Sequence, residues 1–187
     1  MLHIYDIFKD ISKWKILQPF FTDPTSEGIG LREISRLTGL STPSVKLHLD
    51  NFVKDGILVK KDAAKYGLKR KQPVYMAKGD SESFRYLKKL NIINLLYSTG
   101  LIEYLFNKCQ PDIIILFGSS SRGEDIKESD IDLYLQCSER DADLKKFESL
   151  IRRKIQLHFY RDFQKISPEL KNNIINGVIM DGYLKVF

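Results

Sequence analysis

The sequence predicts an α+β fold made of two dissimilar parts. In the first half, residues 4–56 place apolar side chains at helical spacing, and two short strand-like runs then flank a basic tip. In the second half, Ile113-Ile114-Ile115-Leu116 is an unbroken apolar run typical of a buried strand, and residues 131–135 alternate between apolar and polar. We therefore expect N-terminal helices with a hairpin, a helical connector, and a small C-terminal mixed sheet with flanking helices.

Composition limits the class of protein. The 187 residues are 43% hydrophobic, enough for one domain or two small ones. The chain has no run of eighteen apolar residues and no signal-peptide pattern at its start, so we expect a soluble, cytoplasmic protein with no membrane partner. Cys109 and Cys137 lack metal-ligand spacing and are expected to be reduced thiols.

Three helices are predicted in the first half. The first covers residues 4–21 and is closed by Pro24, and a loop through Gly28 and Gly30 follows it. The second helix covers residues 31–38 and ends at Gly39, and the third is capped by Ser41 or Thr42 and stops at Gly56. The inward side chains are expected to be Leu31, Ile34 and Leu37 on the second helix, and Val45, Leu49 and Phe52 on the third.

Residues 57–60 and 73–77 predict two strands around the basic tip at residues 61–72. Two helices joined by a tight turn and followed by a basic hairpin indicate a winged helix-turn-helix domain, which we place at residues 1–80. Residues 41–49 and 54–58 are similar to the recognition helices of ArsR- and MarR-like regulators. Double-stranded DNA is the expected partner, although a domain of this kind can also serve only for protein binding or dimerisation.

The net charge is concentrated in the hairpin region. Residues 54–78 hold eight basic and two acidic side chains, an excess equal to the +6 of the whole chain. Lysines on the tip could neutralise DNA phosphates in a largely sequence-independent way. The candidate DNA-binding residues are Ser44, Lys46, Leu47 and Asn51 on the third helix, and Lys69, Arg70 and Lys71 on the tip.

Residues 81–100 are predicted to form a helical connector. The helix starts at Ser81 or Ser83, and Gly100 breaks it before a further helix at residues 101–108. The connector is too apolar to be a free linker, so we expect it to pack between domains or across a dimer twofold. A homodimer would suit a winged helix that binds paired half-sites.

The stretch from Phe117 to Leu133 carries the chemistry. Gly118 allows a sharp turn, and the serines that follow offer hydroxyl and N–H groups at a helix start, where phosphate oxygens bind readily. Asp130 and Asp132 share one face of the next strand, with Cα atoms roughly 7 Å apart. Two carboxylates this close favour a bridging cation, and Mg²⁺ takes one or two carboxylates while leaving positions for water and phosphates.

The order Gly118-Ser119, Arg122-Gly123, Asp130-Ile131-Asp132 resembles the signature of the DNA polymerase beta-like nucleotidyltransferase superfamily, most closely its minimal members, over residues 101–187. The resemblance implies a domain that binds a nucleoside triphosphate, with ATP expected, together with Mg²⁺ on Asp130 and Asp132. The implied nucleotide-binding residues are Gly118, Ser119, Ser120, Arg122 and Ser129, and Arg122 is also expected to neutralise charge during transfer.

The sequence departs from this family at the third carboxylate. The matching position, on a strand predicted at residues 154–159, is Gln156. Glutamine keeps an oxygen ligand but has no negative charge and cannot act as a base. His158 shares that face and could bind a metal or take a proton, so the candidate catalytic residues are Asp130, Asp132, Arg122, Gln156 and His158.

The remaining elements complete the predicted C-terminal domain. Residues 143–153 predict a helix with Leu144, Phe147, Leu150 and Ile151 inward. Ser167 is expected to cap a last helix with Ile174 and Ile175 inward, and residues 178–187 to form a short hairpin.

Two functions remain open at this stage. In the first, the protein transfers a nucleotidyl group to a protein acceptor. Minimal nucleotidyltransferases often act as antitoxins on HEPN toxins, so the resemblance implies such an acceptor, with the winged helix regulating transcription. In the second, the protein is a transcription regulator whose nucleotidyltransferase domain is catalytically silent and serves as a nucleotide sensor or partner-binding module.

Overall fold

A computed structural model describes residues 11–62 and 72–184. The chain divides into two compact units, Met1–Lys88 and Lys89–Phe187. The N-terminal unit combines helices with a small antiparallel sheet, and the C-terminal unit is a mixed four-stranded sheet with helices, which confirms the α+β class. The predicted division into residues 1–80, a connector at 81–100 and residues 101–187 stays a prediction. Among the described helices, none has the length and apolar character needed to cross a membrane.

The N-terminal unit packs its helices on a three-stranded sheet. Its elements are α1 (Ile11–Thr22), β1 (Ile29–Gly30), α2 (Leu31–Thr38), α3 (Thr42–Lys54), β2 (Leu58–Lys61) and β3 (Val74–Ala77). The strands run antiparallel in the order β1-β3-β2. Gly39 ends α2 in the left-handed conformation at φ 71°, as predicted, and lets the chain turn into α3. Ile34, Val45, Leu49 and Phe52 lie in the core as expected.

Two expectations for this unit were wrong. Leu37 was predicted to face inward but is 51% exposed, because Ile34 alone of that helix reaches the buried core. Residues 29–30 were expected in a loop, yet Ile29 and Gly30 pair with Tyr75 and Val74 as a short edge strand. The first turns predicted at residues 4–10 and most of the basic tip lie outside the described residues.

The C-terminal unit is built on a sheet with helices around it. Its elements are α5 (Leu101–Cys109), β4 (Ile113–Phe117), α6 (Gly118–Arg122), β5 (Ile131–Leu135), α7 (Lys145–Ile151), β6 (Ile155–Phe159), a 3₁₀ turn (Phe163–Lys165), α8 (Pro168–Ile175) and β7 (Val178–Gly182), while α4 (Glu82–Ser98) crosses the unit boundary. The sheet order is β6-β5-β4-β7, with β5 and β6 parallel and the other pairs antiparallel.

Burial on both faces explains the unbroken apolar sequence of the central strand β4. Ile114 and Leu116 point into one core, shared with α5 and α7, while Ile113, Ile115 and Phe117 point into a second core on the opposite face. Both faces of β4 are therefore buried, and a strand buried on both faces is expected to be continuously apolar. Its carboxyl end leads directly into the turn at Gly118.

Three further predictions for this unit were wrong. Leu150 and Ile175 were expected inward but are 56% and 52% exposed, because these short helices bury only Phe147 and Ile151 on α7, and Ile174 on α8. The hairpin predicted at residues 178–187 would turn near its middle, but β7 runs on through Val178–Gly182 and pairs with β4; residues 185–187 lie outside the described residues. The helix predicted at residues 143–153 is shorter, spanning Lys145–Ile151.

Both cysteines are free thiols, as expected. Cys109 is buried and Cys137 is half-buried. Burial raises the pKa of each thiol above its usual value, which disfavours the reactive thiolate.

Candidate functional site

The site begins at the turn from β4 into α6. Gly118 has φ +73°, a conformation that L side chains rarely adopt, and a Cβ built on it would lie 2.9 Å from Oδ2 of Asp132. Glycine therefore serves twice here, because it permits the backbone angle and it lets the chain pass close to a carboxylate. Any larger residue at 118 would push on Asp132.

Strand pairing brings four polar side chains to one face of the sheet. Asp132 lies opposite Phe117 on β4 and opposite Gln156 on the parallel strand β6. Gln156 Nε2 donates to Asp130 Oδ2 at 2.5 Å, and His158 Nε2 lies 3.1 Å from Asp132 Oδ1. The alternation of β5 and β6 thus aligns each aspartate with one polar residue of the neighbouring strand.

The surface formed by Asp130, Asp132, Gln156 and His158, the carboxylate face, is partly open to solvent and is in contact with an aromatic side chain. The side chains of Asp132 and His158 are 27% and 28% exposed, and Gln156 is exposed. The His158 ring meets the Phe117 ring edge to face, with centroids 5.0 Å apart. A ligand can reach the carboxylates, while the aromatic contact limits how far the imidazole can swing.

The comparison with protein families decides the type of domain. The family described as "Polymerase beta, Nucleotidyltransferase" matches residues 100–183, a span that includes the Gly118 turn, both aspartates and Gln156. Residues 100–183 form a polymerase beta nucleotidyltransferase domain. The family implies a nucleotide substrate and typically uses Mg²⁺ with a nucleoside triphosphate. No curated protein matches the chain significantly.

The nucleotidyltransferase domain offers Mg²⁺ two carboxylates rather than a complete protein cage. Across residues 11–62 and 72–184, no group of three or more His, Cys, Asp and Glu side chains is placed to hold a metal ion. Mg²⁺ is commonly bound through one or two carboxylates, with phosphates and water completing its octahedron. Asp130 and Asp132 therefore fit an ion that arrives with a nucleotide, and the Gln156 carboxamide could add an oxygen only by turning away from Asp130.

The predicted nucleotide-binding residues have different surroundings. Gly118 and Ser119 are half-buried at the start of α6, while Ser120 is 1% exposed and its hydroxyl bonds the Asp130 carbonyl at 3.4 Å. Arg122 Nε donates to Glu124 at 2.7 Å on the surface. Ser129 Oγ accepts from the Ile126 N–H at 3.0 Å within the loop before Asp130. Their contacts with a nucleotide stay predictions.

Sequence reasoning missed two residues behind the site, Arg153 and Asp125. Arg153 follows α7, yet its Nη1 donates to Asp125 Oδ2 at 2.5 Å, and the two side chains are only 13% and 4% exposed. The same guanidinium also reaches Ser120, Ser129 and Asp130. One signal was available: a carboxylate inside a motif loop needs a cation if it is buried. Periodicity alone could not identify which of many basic residues supplies it.

The candidate DNA-binding residues lie on α3 where the structure describes them. Leu47 is 61% exposed, and Lys46 is exposed, with its Nζ 3.6 Å from Asp50 one turn on. Ser44 and Asn51 are half-buried. Lys69, Arg70 and Lys71 lie outside the described residues. Their roles in DNA binding stay predictions.

Proposed function

We propose that the protein binds a nucleoside triphosphate with Mg²⁺, with ATP the expected nucleotide, and transfers a nucleotidyl group to a protein acceptor. The proposal depends above all on the shared face of Asp130 and Asp132, directly beside the Gly118 turn. In this reaction the acceptor hydroxyl oxygen forms a bond to the α-phosphorus, the α–β bridging bond breaks, and pyrophosphate leaves. Mg²⁺, when bound, would neutralise phosphate charge.

The residues of the chain itself divide the remaining work. The backbone N–H groups at the start of α6 would hold phosphate oxygens next to Gly118, and Arg122 would add positive charge by releasing Glu124. Gln156 cannot accept a proton, so the candidate proton acceptor for the attacking hydroxyl is His158, which Asp132 and Phe117 hold in place.

We propose further that the N-terminal unit binds double-stranded DNA. The tight turn at Gly39, the exposed face of α3 and the adjoining antiparallel sheet have the order expected of a winged helix-turn-helix. Binding would regulate transcription, and a homodimer would match paired half-sites. A HEPN-like toxin is the acceptor that an antitoxin role would require.

A second function is favoured by one observation. Gln156 donates to Asp130 where the family has a carboxylate, so one face of Asp130 is occupied by a neutral donor. On this account the domain binds nucleotide without turning it over, and the protein is a transcription regulator that senses nucleotide or binds a partner. Nucleotide binding demands less of the site than phosphoryl-group transfer, which depends on charge neutralisation around the metal.

Incubation with α-labelled ATP and Mg²⁺ separates the two functions. The purified protein is compared with the Asp130→Ala, Asp132→Ala double variant, each with and without a candidate acceptor protein. Label transferred to protein only by the wild type supports the transferase. Mg²⁺-dependent ATP binding without transfer, lost in the double variant, supports the sensor. Absence of Mg²⁺-dependent binding in the wild type would contradict both.

A further inference from the structure

The loop that leads into the carboxylate face is held from behind. Residues 123–130 connect α6 to β5 without a helix or strand of their own, and Asp130 is the last of them. Asp132 is different, because it sits inside β5 and is paired with Phe117 and Gln156. The position of Asp130 therefore depends on whatever fixes this loop.

The Arg153 side chain contributes three of the contacts that fix the loop. Its Nε donates to the Ser129 carbonyl at 2.8 Å, its Nη1 to Asp125 at 2.5 Å, and its Nη2 to the Asp130 carbonyl at 3.0 Å and Ser120 Oγ at 3.1 Å. One guanidinium thus joins α6, the middle of the loop and its last two residues. Its planar fork of five donors is suited to such a task in a way that the single ammonium of lysine is not.

The cluster of Arg153 and Asp125 is buried, so breaking its contacts costs free energy. Asp125 is 4% exposed and Arg153 13% exposed, so the two charges share a site that water hardly reaches. A buried charge requires its partner, and a well-bonded polar network restricts the backbone that it touches. Arg153 bonds the backbone carbonyl of Asp130, so it acts on the backbone at this position rather than on the carboxylate.

We propose that Arg153, held by Asp125, is a positioning residue that sets Asp130 for Mg²⁺-dependent nucleotide binding. This inference rests on the proposed function of the site. It also assigns different supports to the two aspartates: strand pairing fixes Asp132, whereas the backbone of Asp130, whose carboxylate accepts from Gln156, is held by the Arg153 cluster. Loss of the cluster should therefore weaken the metal-dependent part of binding more than the metal-independent contacts of the nucleotide with α6, which Arg153 touches at Ser120 Oγ.

The test uses the full-length chain with Arg153→Met, Arg153→Lys and the matched control Lys154→Met. Lys154 is the next residue and a cation of similar length, but its side chain is 75% exposed and bonds Glu148 on α7 rather than the loop. ATP affinity is measured by calorimetry with Mg²⁺ and with EDTA, well below each variant's unfolding temperature. Amide hydrogen exchange of residues 124–131 is measured without nucleotide.

The expected result is graded. Arg153→Met should weaken Mg²⁺-dependent ATP binding by about tenfold, as when an orienting partner of a metal ligand is removed. Metal-free binding and the control should change by less than about twofold, and Arg153→Lys should be intermediate. Exchange at residues 124–131 should speed up in Arg153→Met and not in Lys154→Met.

Several outcomes would overturn the inference. Unchanged Mg²⁺-dependent affinity in Arg153→Met, or equal losses with Mg²⁺ and with EDTA, would show that Arg153 only stabilises the fold. If Arg153→Met fails to fold, Arg153→Lys decides by the same comparison of the two affinities. Wild-type protein without Mg²⁺-dependent binding would contradict the proposed function itself, and unchanged exchange in the variants would then refute the ordering of the loop separately.

Discussion

The exposed face of α3 and the carboxylate face of the C-terminal sheet are built in opposite ways. On α3, Lys46 and Leu47 extend into solvent, and Lys46 has one surface contact with Asp50 at 3.6 Å. On the sheet, Asp130 and Asp132 each meet a polar side chain from the next strand within 3.1 Å. The first surface has one loose, exposed ion pair on a helix, whereas the second is a set of side chains joined by hydrogen bonds.

This difference predicts how the effects of substitutions combine on each surface. Residues that share no partners contribute additively, so charge removal in the N-terminal unit should act through the number of charges lost. Residues joined by hydrogen bonds are coupled, so one change on the carboxylate face should alter what its neighbours do.

The largest effect is expected from the basic tip. Replacing Lys69, Arg70 and Lys71 with Ala should weaken binding to duplex DNA by up to ~10²-fold at about 0.1 M salt, since each lost phosphate contact releases roughly one counterion fewer. The slope of log affinity against log salt should fall by up to about 2.7. Fluorescence anisotropy at several salt concentrations measures both quantities.

The matched control removes the same charge elsewhere. Lys108, Lys145 and Lys165 are exposed lysines of the C-terminal unit, and their replacement with Ala also lowers the net charge by three. DNA binding should change little in that variant if the effect is local. Equal weakening in both triple variants would mean that DNA responds to overall charge, and the assignment of a DNA-binding tip would fail.

An intermediate effect is expected at Gln156. Gln156→Glu keeps the size of the side chain and places a third carboxylate next to Asp130. Without metal, the like charges should repel each other and lower the midpoint of thermal unfolding. The affinity of the protein for Mg²⁺ should rise by about tenfold, because the ion gains an anionic ligand. Thermal unfolding in EDTA measures the destabilisation, and thermal unfolding at several Mg²⁺ concentrations measures the gain in Mg²⁺ affinity.

Gln156→Ala separates charge from the lost hydrogen bond. It removes the donor to Asp130 without adding an anion, so it should not reproduce the gain in Mg²⁺ affinity. If Gln156→Glu also raises nucleotidyl transfer, the missing carboxylate limits turnover in the natural sequence. If the Glu and Ala variants respond to Mg²⁺ alike, the side chain at 156 does not face the ion.

Local sequence was sufficient for much of the carboxylate face. A strand repeats every two residues, so the alternation in residues 155–159 correctly gave Gln156 and His158 a common face of their strand, and the parallel pairing of β5 and β6 brings that face beside Asp132. The sharp turn at Gly118 was also predicted correctly. The structure gives the reason for glycine there, since φ +73° and a 2.9 Å approach to a carboxylate leave no space for a side chain. These features depend on neighbours in sequence or on a simple period.

The failures have a different physical origin. Leu37, Leu150 and Ile175 satisfy helical periodicity, but a helix of seven or eight residues has too few turns for periodicity to fix which side chain is buried. The C-terminal residues were predicted to pair with each other, whereas β7 pairs with β4, some 60 residues earlier in the chain. Arg153 likewise acts on a loop that lies more than 20 residues away.

The smallest effect on stability is expected at Glu148, whose partner Lys154 is largely exposed. Its carboxylate accepts from Lys154 Nζ at 3.0 Å and from the Ile155 N–H at 3.1 Å, at the start of β6. These hydrogen bonds, that from Lys154 first, lower the pKa of Glu148 below its usual 4.5. Because the Lys154 side chain is 75% exposed, Glu148→Gln should cost less than about 1 kcal/mol of unfolding free energy at neutral pH.

The pH dependence of that small difference tests its cause. A carboxylate with a lowered folded-state pKa stabilises the fold above its unfolded value, and this contribution disappears as pH falls through the folded value. The gap between wild type and Glu148→Gln in urea unfolding should therefore close below about pH 4.5. Asp50→Asn, which breaks the exposed pair on α3, serves as the comparison: it should cost still less at neutral pH, because Asp50 lies farther from its lysine, at 3.6 Å. A gap at Glu148 that does not narrow as pH falls below about 4.5 would assign the effect to packing rather than to charge.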